Sequence, residues 1–201
     1  MPETNPFCWV SDSVPELWAF GLRNPHSLHF DPFLGSLNIA DSGIDGKEEI
    51  NVSRIGGEHF GWDLSQKNAL FDRSLRAQLK EIVTVPALET KTGQANGNVI
   101  YRGENFPALA GRIIMTNTNG QVLCGNSKSG AMNDTSVSLV KVPGLGDRPL
   151  TGLKTTLDSE LIVLCEDGSI FEIRKAASLG TEKRRNRQLF CQLDETVSTR
   201  G

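Results

Sequence analysis

Hydrophobic residues along this chain gather in short runs, rich in β-branched side chains and separated by Gly, Pro, Asn and Asp. Runs of that length are too short for stable helices and fit strands bounded by turns. The pattern predicts strands at Ser36–Ala40, Asn98–Tyr101, Arg112–Thr116, Gln121–Cys124, Ser138–Val142, Leu161–Cys165 and Ser169–Ile173. Thr118-Asn119-Gly120 and Glu166-Asp167-Gly168 each lie between two of these runs. Asn-Gly and Asp-Gly permit the positive φ that tight hairpins require, so both pairs are expected to be hairpins. One segment has another period: Leu70, Phe71, Leu75, Leu79 and Ile82, interleaved with charged residues, predict a short helical insertion over Asn68–Ile82. After Arg174 the periodicity ends and a basic cluster, Lys183–Arg187, sits in a polar stretch, so 175–201 is expected to be a flexible tail. A weak repeat links Gly35–Gly43, Gly111–Gly125 and Ser159–Ile173, each a hydrophobic strand beside a Gly-containing turn.

Composition narrows the function classes. With 38% hydrophobic and 22% charged residues in 201, the chain can bury a real core. Its formal net charge of -3 provides no basic field, so a nucleic-acid partner is not expected. No apolar run approaches the roughly 18 residues of a membrane-spanning helix. The first residues also lack the basic and apolar regions of a signal peptide, and the compartment stays open. Cys8, Cys124, Cys165 and Cys191 are scattered, without the spacing of a zinc site, and read as free thiols.

Four elements then follow in order: Glu16–Pro25 (ELWAFGLRNP), Phe30–Asn38 (FDPFLGSLN), the acidic turn Asp41–Asn51, and Gly56–Trp62 (GGEHFGW). Together with Asn98–Ile114 and a closing segment after Leu150, they resemble the glucose/sorbosone dehydrogenase family, the soluble PQQ-dependent sugar dehydrogenases. The resemblance covers about residues 5 to 174. It implies an all-β fold: roughly the last three blades of a six-bladed β-propeller, with residues 1–174 as this partial domain. It further implies PQQ and Ca²⁺ as cofactors, a sugar oxidised at a CH-OH group as substrate, and a periplasmic or secreted setting.

By the same resemblance Arg23, Asn24, Asp41, Ser42, Gly43 and Arg148 would line the cofactor, and Glu48 and Glu49 would serve a metal. Physical reasons run alongside. A guanidinium and a carboxamide on a turn suit an anionic quinone, and carboxylates on a Gly-bearing loop suit a hard cation. Structural readings remain open at these positions: Arg23 pairing a carboxylate, Asn24 capping its turn, Glu49 pairing Arg23 or Arg54, Trp62 packing between blades, and His26 facing either the pocket or a structural partner.

The family's His general base precedes the R-N-P element, so no catalytic residue is expected in this chain. A hairpin Lys of the family is replaced by Thr118-Asn119-Gly120. Two functions compete: a quinoprotein oxidoreductase, and a non-catalytic propeller that binds a protein or glycan, as in the hedgehog-interacting relatives. A lactonase-like hydrolase has only the fold class behind it. An open blade face is expected to need partner blades or self-association.

Overall fold

The computed structural model describes residues 3–11, 13–43, 46–62, 83–128, 137–175 and 190–191. Strands β1 (Pro25–Asp31), β2 (Ser36–Ser42), β3 (Glu48–Ser53) and β4 (Leu88–Thr90) form one antiparallel sheet in chain order. A second sheet contains β5 (Ala95–Ile100), β6 (Arg112–Asn117), β7 (Val122–Lys128) and β8 (Val137–Val140). The third is built from β9 (Leu150–Thr155), β10 (Leu161–Cys165) and β11 (Ile170–Glu172), and a two-residue parallel pair joins β12 (Arg174–Lys175) to β13 (Phe190–Cys191). Among the described residues, the named elements other than a 3-10 turn at Pro107–Leu109 are strands. The helical segment expected at Asn68–Ile82 lies outside the described residues, as does the expected tail apart from Lys175 and the pair at 190–191.

Consecutive up-and-down sheets, with their first strands packed side by side, make this a partial β-propeller of three blades. Asn98 bonds Ser27 and Arg102 bonds Asp31 at the same 71-residue separation, so β1 and β5 run in the same direction. Contacts from Gly97 to Leu153 and from Tyr101 to Glu160 give β9 that direction too. The N-terminal ends of β1, β5 and β9 therefore share one end of the molecule. The β2–β3, β6–β7 and β10–β11 turns reach the same end, because each second strand runs back antiparallel.

Two apolar layers lie between the blades. Ala40, Ile50 and Leu88 pack on Ala95, Ile100, Ile113 and Met115 between the first and second sheets. Val99, Ile114 and Val122 pack on Leu153, Leu161, Val163 and Phe171 between the second and third. Adjacent residues of β5 face opposite ways, so Val99 enters one layer while Ile100 enters the other. Where the inner strands approach, Gly97 has no alternative: a Cβ there would lie 2.3 Å from the Leu153 nitrogen.

Carboxylates fasten the joints. Asp31, fully buried, pairs with Arg102 at 2.6 Å. Glu160 accepts the Tyr101 hydroxyl at 2.6 Å and the N–H groups of Glu104 and Asn105 at 2.8 and 2.9 Å. Burial is the main force pushing the Tyr101 hydroxyl well above its ordinary pKa, and the bond to Glu160 adds to it. That phenol stays a neutral donor. Replacing Glu160 by Ala leaves the buried Tyr101 hydroxyl and two part-buried N–H groups without their acceptor, and we expect a loss of about 3 kcal/mol. Chemical denaturation measures it, and an unchanged midpoint would show that this joint does not hold the second and third blades together.

Candidate functional site

The site grows from the turn that opens β1. Gly21 takes φ +79°, and a Cβ there would meet His59 and the Gly61 nitrogen, so the chain passes close beneath the Gly56–Trp62 segment before turning. His59 Nδ1 accepts the Gly61 N–H at 2.8 Å and its ring lies on Phe20. Beyond Gly21, Arg23 and Asn24 project at the exposed end of the molecule.

Asp41, at the end of β2, shapes this turn. Its two carboxylate oxygens accept the backbone N–H groups of Asn24 at 2.6 Å and Arg23 at 2.9 Å. The Arg23 guanidinium crosses back, donating to the carbonyls of Ser42 at 3.1 Å and Gly43 at 2.8 Å, and lies 5.0 Å over the Trp62 ring. Five of the residues expected at a cofactor, Arg23, Asn24, Asp41, Ser42 and Gly43, are thus one hydrogen-bonded unit. Arg23 engages backbone carbonyls rather than Glu49, and Trp62 is half-buried beneath it.

Arg148 stands at the same end, two sheets away, just before β9. It donates to the Leu145 carbonyl at 2.8 Å, lies over Phe171 and approaches Asp167 at 3.9 Å. Its guanidinium is thus engaged by its own blade. Beside it a cleft opens between the β6–β7 turn and the β8–β9 connection, lined among others by Asn119, Gln121, Lys141, Leu145 and Asp147.

Glu48 and Glu49 are adjacent on β3 and face opposite sides of the sheet. Glu48 is buried, meeting His26 at 3.2 Å and accepting the Ala95 N–H at 3.1 Å, which locates His26 at a blade joint. Glu49 stands in register with Asp41 on β2 and Glu89 on β4, a row of carboxylates across three strands, with Lys47 bonded to Glu89 at 2.8 Å. Burial is the main cause raising the Glu49 pKa, reinforced by the Glu89 and Asp41 charges. Glu58 shows the opposite balance. Burial pushes its pKa up, but the Ser53 hydroxyl and the Arg54 and Ile55 N–H groups hold it below the ordinary range.

Glu89 and Lys141 were not reached by sequence reasoning. Glu89 lies forty residues from Glu49 and joins the row only through strand register; Lys141 follows β8 and meets the β6–β7 turn only across the cleft. Among the described residues no group of three His, Cys, Asp or Glu side chains is gathered around a point a metal ion could occupy. Cys124 and Cys165 are buried free thiols and Cys8 is a half-buried one. Among the described residues, too, no helix is long and apolar enough to cross a membrane.

The sequence profile of the glucose/sorbosone dehydrogenase family matches residues 1–170. The chain is 26% identical over 185 residues to aldose sugar dehydrogenase YliI of Escherichia coli, covering 84% of this chain and 46% of that protein. It is 31% identical over 136 residues to the HIPL1 protein of Arabidopsis thaliana, covering 60% of this chain and 19% of that protein. The soluble aldose sugar dehydrogenase of Escherichia coli in its apo form superposes with a TM-score of 0.61 at 22% identity, over 85% of this chain and 49% of that one. The PQQ-bound aldose sugar dehydrogenase of Streptomyces coelicolor gives 0.52 at 14%, over 77% and 43%. At these identities the structures establish the fold. This chain spans about half the length of the Escherichia coli relative.

Because its folded pKa is raised, Glu49 favours the folded state while protonated. That contribution is present below the ordinary glutamate range and is lost as pH rises through the raised value. Glu49→Gln is therefore expected to raise the melting temperature at neutral pH and to flatten the gain that wild type shows on mild acidification. Parallel melting curves at several pH values check it, and a variant that tracks wild type at every pH would remove Glu49 as the strained carboxylate.

Proposed function

The chain belongs to the glucose/sorbosone dehydrogenase family, and from that premise we propose that it forms the cofactor-holding side of a PQQ-dependent oxidoreductase acting on CH-OH groups of sugars. One observation carries this reading: Arg23, Asn24, Asp41, Ser42 and Gly43, read separately from the sequence as cofactor residues, close into one hydrogen-bonded unit in which Arg23 and Asn24 are exposed. Asp41 consumes the local N–H groups and leaves the Asn24 carboxamide and the Arg23 guanidinium at the surface. Such a pair suits a planar polycarboxylate, since a guanidinium binds carboxylates through parallel N–H bonds. PQQ, when bound, would supply the electron-accepting quinone for sugar oxidation. In this reading the side chains of the chain bind and orient, and none of them is assigned as the proton acceptor.

Calcium finds its support on one face of β3 only. Glu49 is raised first by burial and then by the Glu89 and Asp41 charges, the repulsion that a bound cation relieves, whereas Glu48 is committed to His26 and the Ala95 N–H on the other face. The Ser42 and Gly43 carbonyls are engaged by Arg23, so a cation drawing on them would have to displace the guanidinium.

A second reading, a non-catalytic propeller binding a protein or glycan, draws on Arg148. Its guanidinium is occupied within its own blade, and the β6–β7 turn presents Asn119 where the family's resemblance implies a Lys.

The outer faces bear on partners in either reading. Leu28 and Phe30 on β1 are 55% and 60% exposed, and Ile170 on β11 is 65% exposed. Trp9, Val10 and Val14 add further exposed apolar surface. Exposed apolar area of this kind marks a surface that other protein covers. Further blades or a second copy are the proposed cover. Sedimentation of the isolated chain is expected to show self-association, together with strong binding of a hydrophobic dye. A monodisperse monomer that ignores the dye would overturn that cover.

Tryptophan fluorescence provides a direct test of the cofactor reading, because Trp62 lies under Arg23. PQQ added with Ca²⁺ is expected to quench it saturably, with affinity reduced at least about tenfold in an Arg23→Ala/Asn24→Ala variant. Equal affinity in both proteins would dismiss the turn as the cofactor site. Absence of quenching in a folded chain would favour the non-catalytic reading.

A further inference from the structure

Between the first and second sheets, a polar layer adjoins the apolar one and is not fully paired. Ser36, Asn38 and Asn98 are each 0% exposed. The Ser36 hydroxyl, the Asn38 Oδ1 and the Asn98 Oδ1 have no hydrogen-bond partner. All three side chains enter the same layer. Ser36 and Asn38 stand opposite Asp31 and His29 in the β1–β2 register, and Asp31 bonds Arg102 of the second blade. Asn98 comes from the facing strand, its Nδ2 donating to the Ser27 carbonyl at 3.3 Å and the Ser27 hydroxyl at 3.2 Å. The Asn38 Nδ2 donates to the His29 carbonyl at 3.3 Å. Both amide nitrogens are therefore fixed on β1 while both amide oxygens are left over.

A buried carbonyl oxygen without a donor costs on the order of 1–3 kcal/mol. Exchanging N and O in either amide does not help, because the nitrogen would then be orphaned and its carbonyl partner on β1 would meet an oxygen. The two amide oxygens ask for a small donor of two hydrogen bonds. Water fits, as a donor of two. A metal cation fits poorly, since Asp31 is already neutralised by Arg102, and Arg102 and Lys154 both bear on His29 in this layer. We propose that ordered water is bound between the first two blades, bridging Asn38 Oδ1 and Asn98 Oδ1. The water completes the joint that holds β1 against β5, and β1 begins at the Arg23–Pro25 turn.

Magnetic relaxation dispersion or a crystal structure at high resolution tests this on the unaltered chain. The expected result is a long-lived internal water, or density at hydrogen-bond distance from both amide oxygens. Density with short metal–oxygen distances, or amides that pair directly with each other, would overturn it. Asn38→Leu and Asn98→Leu provide a second measurement: each alone is expected to lower the melting temperature, and the double variant less than the sum. Strictly additive losses would remove the shared water. If the single variants fail to fold, the relaxation measurement on wild type decides alone.

Discussion

A carboxylate accepting main-chain N–H groups is the interaction on which this arrangement of sheets depends. Within a blade the strands satisfy each other, but the turns and joints between blades leave donors with no ladder partner. Asp41 takes the N–H groups of Arg23 and Asn24, Glu58 those of Arg54 and Ile55, Glu48 that of Ala95, and Glu160 those of Glu104 and Asn105. Each of these acids sits where irregular backbone meets a sheet, and three of them are buried. A negative charge there is stabilised by converging N–H dipoles rather than by a surface cation.

The candidate site is one instance of that device. Asp41 is consumed in holding the turn, so its placement is architectural and its effect is to present Arg23 and Asn24. Glu49, directly opposite Asp41 in register, is raised first by burial and then by the Glu89 and Asp41 charges, whereas hydrogen bonds to the Glu58 carboxylate outweigh its burial and lower its pKa. The same contrast separates Glu48 from Glu49, neighbours in sequence whose side chains enter different surroundings. Arg148 shares the end of the molecule with Arg23, yet its guanidinium is spent on Leu145, Phe171 and Asp167.

Much of the fold was legible because turn chemistry is local. The hairpins at Asn119-Gly120 and Asp167-Gly168 appear as expected, with both glycines at positive φ. The expected strands at Ser36, Asn98, Arg112, Gln121, Ser138, Leu161 and Ser169 correspond to β2, β5, β6, β7, β8, β10 and β11 within a few residues. Within the three antiparallel sheets, the ones without a clear signal, β1, β3, β4 and β9, share a cause. They begin with Pro and His, carry paired glutamates, are only three residues long, or contain Gly152, and such residues are poor strand formers judged alone. Tertiary contact overrides the local preference: Glu48 is accepted in β3 because His26 and the Ala95 N–H await it.

By itself the sequence determined the strand-and-turn character of the chain and the family to which it belongs, whose resemblance marked Arg23, Asn24, Asp41, Ser42 and Gly43 one by one. Those features depend on residue types a short distance apart, which hairpin geometry brings together without reference to the rest of the chain. Only the tertiary structure decided that Glu48 locks a joint while Glu49 joins Glu89, that Arg148 is held by its own blade, and that Asn38 and Asn98 are buried between the blades with their amide oxygens unpaired. Register between strands and contact between blades set these outcomes. A one-residue difference in register sends a side chain to the opposite face, and no local pattern records which face a distant blade will cover.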